Sequence, residues 1–341
     1  AKNAGQELQA GVEYDVSFQV QLPNEWDPEV ADFNVGITAA TEVDRVNAQW
    51  QQACNNMDLV IAMSQHTKKT LQNGPESITT PIITLGAAPN RGVVREDVDP
   101  YDLDFDEEVE DAFLHVGQII GHPDRDRKNT FYLMRAFMKA FENDPTKALV
   151  IKANMGRNSA IDRQQCINTL KSFKNDHCPE SEAKVYLLHG PMTNEEMAGL
   201  YRHPMIRSFV TFTRGEGFGL PLLEAAFHGL PVMATDHSGH TEFLYHGGES
   251  KFIRADYMME KVPDQFVDGD IIPEGAHWAE VPEEEMVRIM RRFYDKGPGR
   301  PQEWADDLRE IVRERYTTLN LAHDLYDKLV EHGPEKFDPE E

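Results

Sequence analysis

The chain has 341 residues, 40% of them apolar and 9% aromatic, a composition that folds, and its length predicts two domains of ordinary size. A formal charge of −25, from 59 acidic against 34 basic residues, opposes nucleic acid as a partner because its field repels polyanions, yet a local basic pocket can still hold a small phosphate ligand. No apolar run reaches the roughly 18–20 residues of a membrane span and no signal peptide is evident, so a cytoplasmic location without membrane insertion is expected; Cys54, Cys166 and Cys178 lack the spacing of a disulfide framework or a thiol zinc site.

Residues 1–12 read as the second half of a helix, with Leu8 and Ala10 before a glycine stop at Gly11, so the first domain is expected to lack its opening strand. Apolar and β-branched runs at 14–20, 59–63 and 78–84 predict strands, and the longer helical patterns between them predict parallel α/β layers. Between Glu96 and Asp111 lie ten acidic residues and Pro100, without a helical or strand period. This stretch is read as a solvated linker dividing a first domain, 1–105, from a second, 106–315.

Further runs at 113–117, 148–153, 185–189, 208–213 and 231–235 predict the strands of the second domain, several continuously apolar as in sheets covered on both faces. Phe131, Met134, Phe137, Met138 and Phe141 recur at helical spacing over 129–141 and predict a core-facing helix. Thr193 with Glu196 forms a capping-box start for another. The region 247–282 is rich in Gly, Pro and Asp and is expected to form long loops. Helical patterns at 283–295 and 304–330 close the chain, with the segment 316–341 returning to the first domain.

The most informative segment is Thr213-Arg214-Gly215-Glu216-Gly217-Phe218-Gly219-Leu220-Pro221-Leu222-Leu223-Glu224-Ala225-Ala226, followed by Gly229-Leu230-Pro231-Val232. A strand runs into glycines that admit a ligand to the backbone, and Pro221 suits a first helical position. The amides of Gly217, Phe218, Gly219 and Leu220 are expected to be unsatisfied at that helix N-terminus, where about half a positive charge gathers. That arrangement suits a phosphate or a sugar hydroxyl. Glu216 before the helix and Glu224 about one turn inside it are placed to face a single ligand and accept from its hydroxyls.

Glu216 and Glu224, with seven residues between them, resemble the paired-glutamate motif of family 4 retaining glycosyltransferases. The likeness runs over residues 12–330 through Asn55-Asn56-Met57-Asp58 with Ser64, Phe113-Leu114-His115-Val116-Gly117, Arg127-Lys128-Asn129 and His189-Gly190. It implies the GT-B fold, two Rossmann-like parallel-sheet domains facing a cleft. It also implies that Glu224 binds the donor ribose, that Glu216 contacts the transferred sugar, and that the amides of 217–220 support sugar and phosphate. Arg127 and Lys128 are implied to neutralise the donor diphosphate, where each well-placed donor lowers the barrier by about 3 kcal/mol. Ser238, Gly239 and Gly190 are implied as further donor contacts.

The implied reaction is front-face transfer of a hexose from a nucleotide diphosphate sugar to a glycan or other hydroxyl acceptor. The leaving phosphate takes the acceptor's proton, so no protein nucleophile, cofactor or metal is expected. Two departures from the family pattern stand out. Gln118 occupies the place of an arginine after the strand glycine, with residues 119–126 lengthening the loop so that Arg127 is expected to substitute. The absent opening strand leaves open the alternative of a catalytically impaired nucleotide-sugar-binding protein, and a nucleotide-sugar epimerase of similar layered fold is a third reading.

Rival constellations carry less weight. Asp124-Arg125-Asp126 has the spacing of a metal-binding Asp-x-Asp motif, but the same spacing recurs at 97/99, 102/104, 104/106 and 268/270 in this acid-rich chain. His237, His240 and His246 lack a further zinc ligand at suitable spacing. Glu42, Asp44 and His66 fall in the first domain, where surface or capping roles explain them equally well.

Overall fold

The computed structural model describes residues 13–333 except 121 and 298, so the helix expected over 1–12 and the last part of the 316–341 segment lie outside the described residues. In the first sheet, β1 (Val16–Val20), β2 (Phe33–Thr38), β3 (Leu59–Ala62) and β4 (Ile82–Thr84) pair in that order, all parallel, with α1 (Ala48–Asn55) and α2 (Gln65–Gln72) flanking β3 in sequence. β3 is buried at every position, as its unbroken Leu-Val-Ile-Ala run requires. Val60 and Ala62 pack on one side with Trp50 of α1, while Leu59 and Ile61 pack on the other with Val35. β2 was not among the predicted strands, because Asn34 and Gly36 interrupt its apolar run. Asn34 is satisfied locally, its amide donating to the carbonyls of Pro28 and Ala31. Gly36 leaves room for the Trp26 ring, which would lie 2.7 Å from a Cβ there.

The second sheet begins with β5 (Asp111–Gln118), followed by α3 (Thr130–Ala140), β6 (Lys147–Asn154), α4 (Ala160–His177), β7 (Lys184–His189) and α5 (Asn194–Tyr201). Then come β8 (Ile206–Thr211), α6 (Leu220–Phe227), β9 (Val232–Thr235), α7 (Thr241–Leu244), a small hairpin of β10 (Tyr245–His246) and β11 (Glu249–Ser250), and β12 (Ile253–Ala255). The parallel order is β12-β9-β8-β5-β6-β7. The chain therefore winds outward from β5 through β6 and β7, then crosses back to β8. Ligand crevices in such sheets open at that reversal, beyond the carboxyl ends of the strands.

Alternation along β5 sends Phe113 to one face, with Phe131 and Phe137 of α3 and Met290 of the later helix α8, and Leu114 to the other, with Leu222 and Leu223 of α6. A hairpin of β13 (Met258–Lys261) and β14 (His277–Glu280) follows, then α8 (Glu283–Lys296), α9 (Gly299–Arg315) and α10 (Thr318–His332). The region expected to be loops, 247–282, thus contains four short strands; at two to four residues each they are too short to show a period. The helix expected over 304–330 is two helices. Tyr316 turns into the core and Thr317 caps the second, its side chain accepting from Asn320 N–H at 3.1 Å.

The acidic stretch 96–111 is less solvated than expected, since Tyr101, Leu103 and Phe105 pack on the second core and Glu96 pairs with Arg309 and Arg313. Leu325 and Leu329 of α10 pack with Val35, Ile61 and Ile83 of the first sheet. Among the described residues no helix is long and apolar enough to cross a membrane, and the three cysteines are free and buried.

Candidate functional site

The loop after β8 enters α6 through Gly219, whose left-handed φ of +90° and 2.8 Å clearance from a would-be Cβ to His240 Cβ both demand glycine. Leu220 is the first helical residue and Pro221 the second, one place later than predicted. Among the described residues none accepts from the amides of Gly217, Phe218, Gly219 or Leu220. The Gly217 carbonyl accepts from Ser64 Oγ at 2.9 Å and Thr67 Oγ1 at 3.2 Å, both at the start of α2. Cβ atoms at Gly215 and Gly217 would lie 1.9 Å from the Glu42 carbonyl oxygen and 2.7 Å from Ala39 Cβ. These glycines therefore admit the first domain's backbone, a use the sequence reading did not foresee.

Glu216 is 5% exposed, and Lys128 Nζ donates to both its carboxylate oxygens at 2.6 and 2.8 Å. Arg127 Nη1 lies 3.5 Å from the same carboxylate and donates to the Gly215 carbonyl at 2.5 Å, while Nη2 reaches Glu42 of the first domain at 3.1 Å. Burial pushes the Glu216 carboxyl upward, but Lys128 and Arg127 outweigh it and hold it down at about 2. The Glu216 backbone is clamped as well. Its N–H donates to Ser238 Oγ at 2.9 Å, and Gly239 N–H donates to its carbonyl at 2.8 Å. Ser238 and Gly239, implied as donor contacts, here hold Glu216 in place.

The two cations are set by the turn before α3. Asp126 is fully buried and accepts from Lys128 N–H at 3.2 Å and Thr130 N–H at 2.6 Å. Arg214 donates to the carbonyls of Asp124 and Asp126 at 2.8 and 3.2 Å, with its guanidinium over the Trp278 ring. The Asp-x-Asp pair is thus a turn-builder, Asp124 taking the Tyr132 hydroxyl and Asp126 the backbone of α3. Gln118 is exposed at the end of β5.

Glu224 is held elsewhere. Tyr201 Oη, at the end of α5, donates to its carboxylate at 2.9 Å, and Tyr201 stacks on His228. Burial pushes the Glu224 carboxyl up to about 7, with the Tyr201 hydroxyl pulling the other way. The expectation that the two glutamates face one shared ligand is not met in this arrangement: Glu216 is turned to the start of α3 and Glu224 to α5. Each carboxylate takes the donor its own surroundings offer, Lys128 Nζ for Glu216 and the Tyr201 hydroxyl for Glu224. Of the described cavities, the one beside this region, about 410 Å³, is lined by Asp124, Tyr132, Arg214, Trp278 and Glu280, and neither glutamate lines any of them.

Gly190 ends β7 at φ +100°, with nothing within 4 Å of a would-be Cβ, and its carbonyl accepts from Lys152 Nζ at 2.7 Å. His240 is buried with Nε2 2.7 Å from the Thr235 carbonyl, His237 meets His66 edge-on at 5.0 Å, and His246 is exposed. Among the described residues no group of three or more His, Cys, Asp or Glu is arranged to hold a metal ion. Asp44 accepts from His277 N–H at 2.7 Å, tying the two domains. Sequence reasoning passed over Lys152 and Tyr201. The one available signal was a lysine inside the apolar run Ala148-Leu149-Val150-Ile151-Lys152-Ala153.

Two sheets of parallel strands, each flanked by helices, and the likeness to solved glycosyltransferases define the GT-B fold. Residues 110–269 match the family described as "Glycosyl transferases group 1". No curated protein sequence matches the chain. Among solved structures, the sucrose-phosphate synthase of Thermosynechococcus elongatus is similar at TM-score 0.62 and 15% identity, over 93% of this chain and 74% of that one. HepE of Anabaena, solved with UDP and glucose, is similar at 0.57 and 12%, over 88% and 72%. The pneumococcal O-GlcNAc transferase GtfA, solved with UDP and GlcNAc, is similar at 0.53 and 14%, over 89% and 53%. The chain thus spans about half the length of that transferase, and these likenesses are of fold.

Proposed function

We propose that the protein is a metal-independent, retaining glycosyltransferase that moves a hexose from a nucleotide diphosphate sugar to a hydroxyl acceptor such as a glycan. The observation that carries this reading is the Lys128–Glu216–Arg127 cluster beside the unsatisfied amides of 217–220, at the point where the strand order reverses. The group 1 family match of residues 110–269 and the fold likeness to structures holding UDP support it.

On this reading the donor enters as the first domain withdraws from the 215–219 loop. Its diphosphate replaces carboxylates as the partner of Lys128 and Arg127, and Glu216 is released to accept from the sugar's hydroxyls. Glu224 accepts from the ribose. The acceptor hydroxyl then attacks from the face the phosphate leaves, which takes its proton, while the two cations and the amides stabilise the developing charge. Calorimetric titration with UDP-, GDP- and ADP-glucose tests the reading: saturable binding of at least one is expected, and no heat from any of them removes it.

Exposed Gln118 in place of a phosphate-binding arginine favours a second reading, a protein that binds the donor without turnover. Donor hydrolysis or transfer to added glycan separates the two.

A further inference from the structure

Lys152 lies inside β6, 5% exposed, in register with Val116 of β5 and Leu188 of β7. Its neighbours on that face, Leu114, Val116, Val150 and Leu188, belong to the second domain's core. An aliphatic side chain would serve such a position better, because a buried ammonium costs several kcal/mol unless something compensates it. Among the described residues no carboxylate pairs with it. Its two partners are neutral oxygens, the Gly190 carbonyl at 2.7 Å and Asn154 Oδ1 at 3.2 Å, and burial alone shapes its ionisation, pulling it below the usual lysine range. An ammonium has three protons to donate, so one remains.

The position of this cation relative to the proposed donor site bears on its use. The phosphate-binding cluster stands at the β5–β8 reversal, and β6 and β7 lie one and two strands away from β5, at about 4.8 Å per step. A donor whose diphosphate rests on Lys128 and Arg127 and whose ribose turns toward Glu224 would carry its nucleoside, roughly 5–10 Å further on, toward the ends of β6 and β7. There Lys152 meets Gly190, beside which a side chain would meet open space. Glu224, the ribose partner of the proposed function, leans the same way, toward Tyr201 on the helix that follows β7.

We propose that Lys152 is a specificity-determining residue of the donor site, its free proton donated to a carbonyl oxygen of the nucleobase, so that oxo bases such as uracil or guanine are preferred over adenine. An exocyclic oxygen carries more negative charge than a ring nitrogen and is the better partner for an ammonium. This inference rests on the donor-site reading above.

The test compares UDP, GDP and ADP by calorimetry on the wild-type chain and on Lys152→Met, with Lys152→Gln as a second variant should the first melt early. Wild type is expected to bind UDP or GDP at least about tenfold more tightly than ADP, the fold-change of one charge-assisted hydrogen bond. Both variants should lose about that factor for the oxo base while ADP changes by no more than about twofold. Equal loss for all three would make Lys152 only a prop for the Gly190 loop, and a wild-type preference for ADP would likewise overturn the inference while leaving the donor site standing. Binding of none by wild type would remove the donor site itself, and this inference with it.

Discussion

Lys128 and Glu216 form a largely buried pair in which one ammonium bonds both oxygens of one carboxylate, at 2.6 and 2.8 Å. Removing one partner leaves the other charged and uncompensated, which costs more than the pair itself contributes. Lys128→Met is therefore expected to destabilise the fold by about 3 kcal/mol, and adding Glu216→Gln should recover most of it. Urea melts of the single and double variants check this. The sign of the pH dependence follows from a carboxyl lowered from 4.5 to about 2: its contribution is fully present above 4.5 and lost as pH falls toward 2.

Glu42 occupies Arg127 across the domain boundary and so competes with any diphosphate for that guanidinium. The pair is partly exposed, so its own worth is about 1 kcal/mol at most. Glu42→Gln is expected to raise affinity for a nucleoside diphosphate by a few-fold and to expand the molecule slightly, as seen by calorimetry and small-angle scattering. Weaker binding in the variant would instead make Glu42 part of the donor's own contact set.

Glu224, pushed up to about 7, is largely protonated below that pH. A charged acceptor makes the stronger hydrogen bond to ribose, so affinity for a nucleotide sugar, whose diphosphate does not titrate here, should rise between pH 6 and 8. Glu224→Gln should abolish that rise. Tyr201→Phe removes the hydroxyl that pulls the carboxyl down, and should move the midpoint to higher pH. A flat wild-type profile would disconnect Glu224 from the nucleoside. The stability of the apo fold should follow the opposite trend, because a raised carboxyl favours the protonated folded state: its contribution is expected to decline as pH climbs from 4.5 to about 7.

Gly239 sits so close to the loop that a Cβ would lie 2.0 Å from the Gly217 carbonyl oxygen. Gly239→Ala must push that loop aside and is expected to cost about 2 kcal/mol and most donor binding. Gly190→Ala, which meets only the backbone cost of its left-handed φ, should lose about 1 kcal/mol and keep its fold. Thermal melts of the two variants, run side by side, separate steric from conformational cost.

How far the site was legible depended on how local each feature is. The turn into α6, the capping box at Thr193 and the core stripe of α3 are set by residues within a few positions of one another, and their sequence signatures name them directly. β2, broken by Asn34 and Gly36, and the strands of two to four residues from 249 on were missed because such segments gain their identity from the neighbour they pair with.

The amino-acid order by itself determined the layered α/β architecture, the glycine-proline entry to α6 and the presence of two acids with seven residues between them around it, since burial periodicity and cap chemistry act over one or two turns of chain. Only the tertiary structure decided what those acids touch. Lys128 lies 88 residues from Glu216 and Tyr201 lies 23 from Glu224. Glu42 reaches Arg127 from the other domain. Contacts at such separations are chosen by how sheets and helices stack, and a buried charge accepts whichever partner that stacking brings within reach.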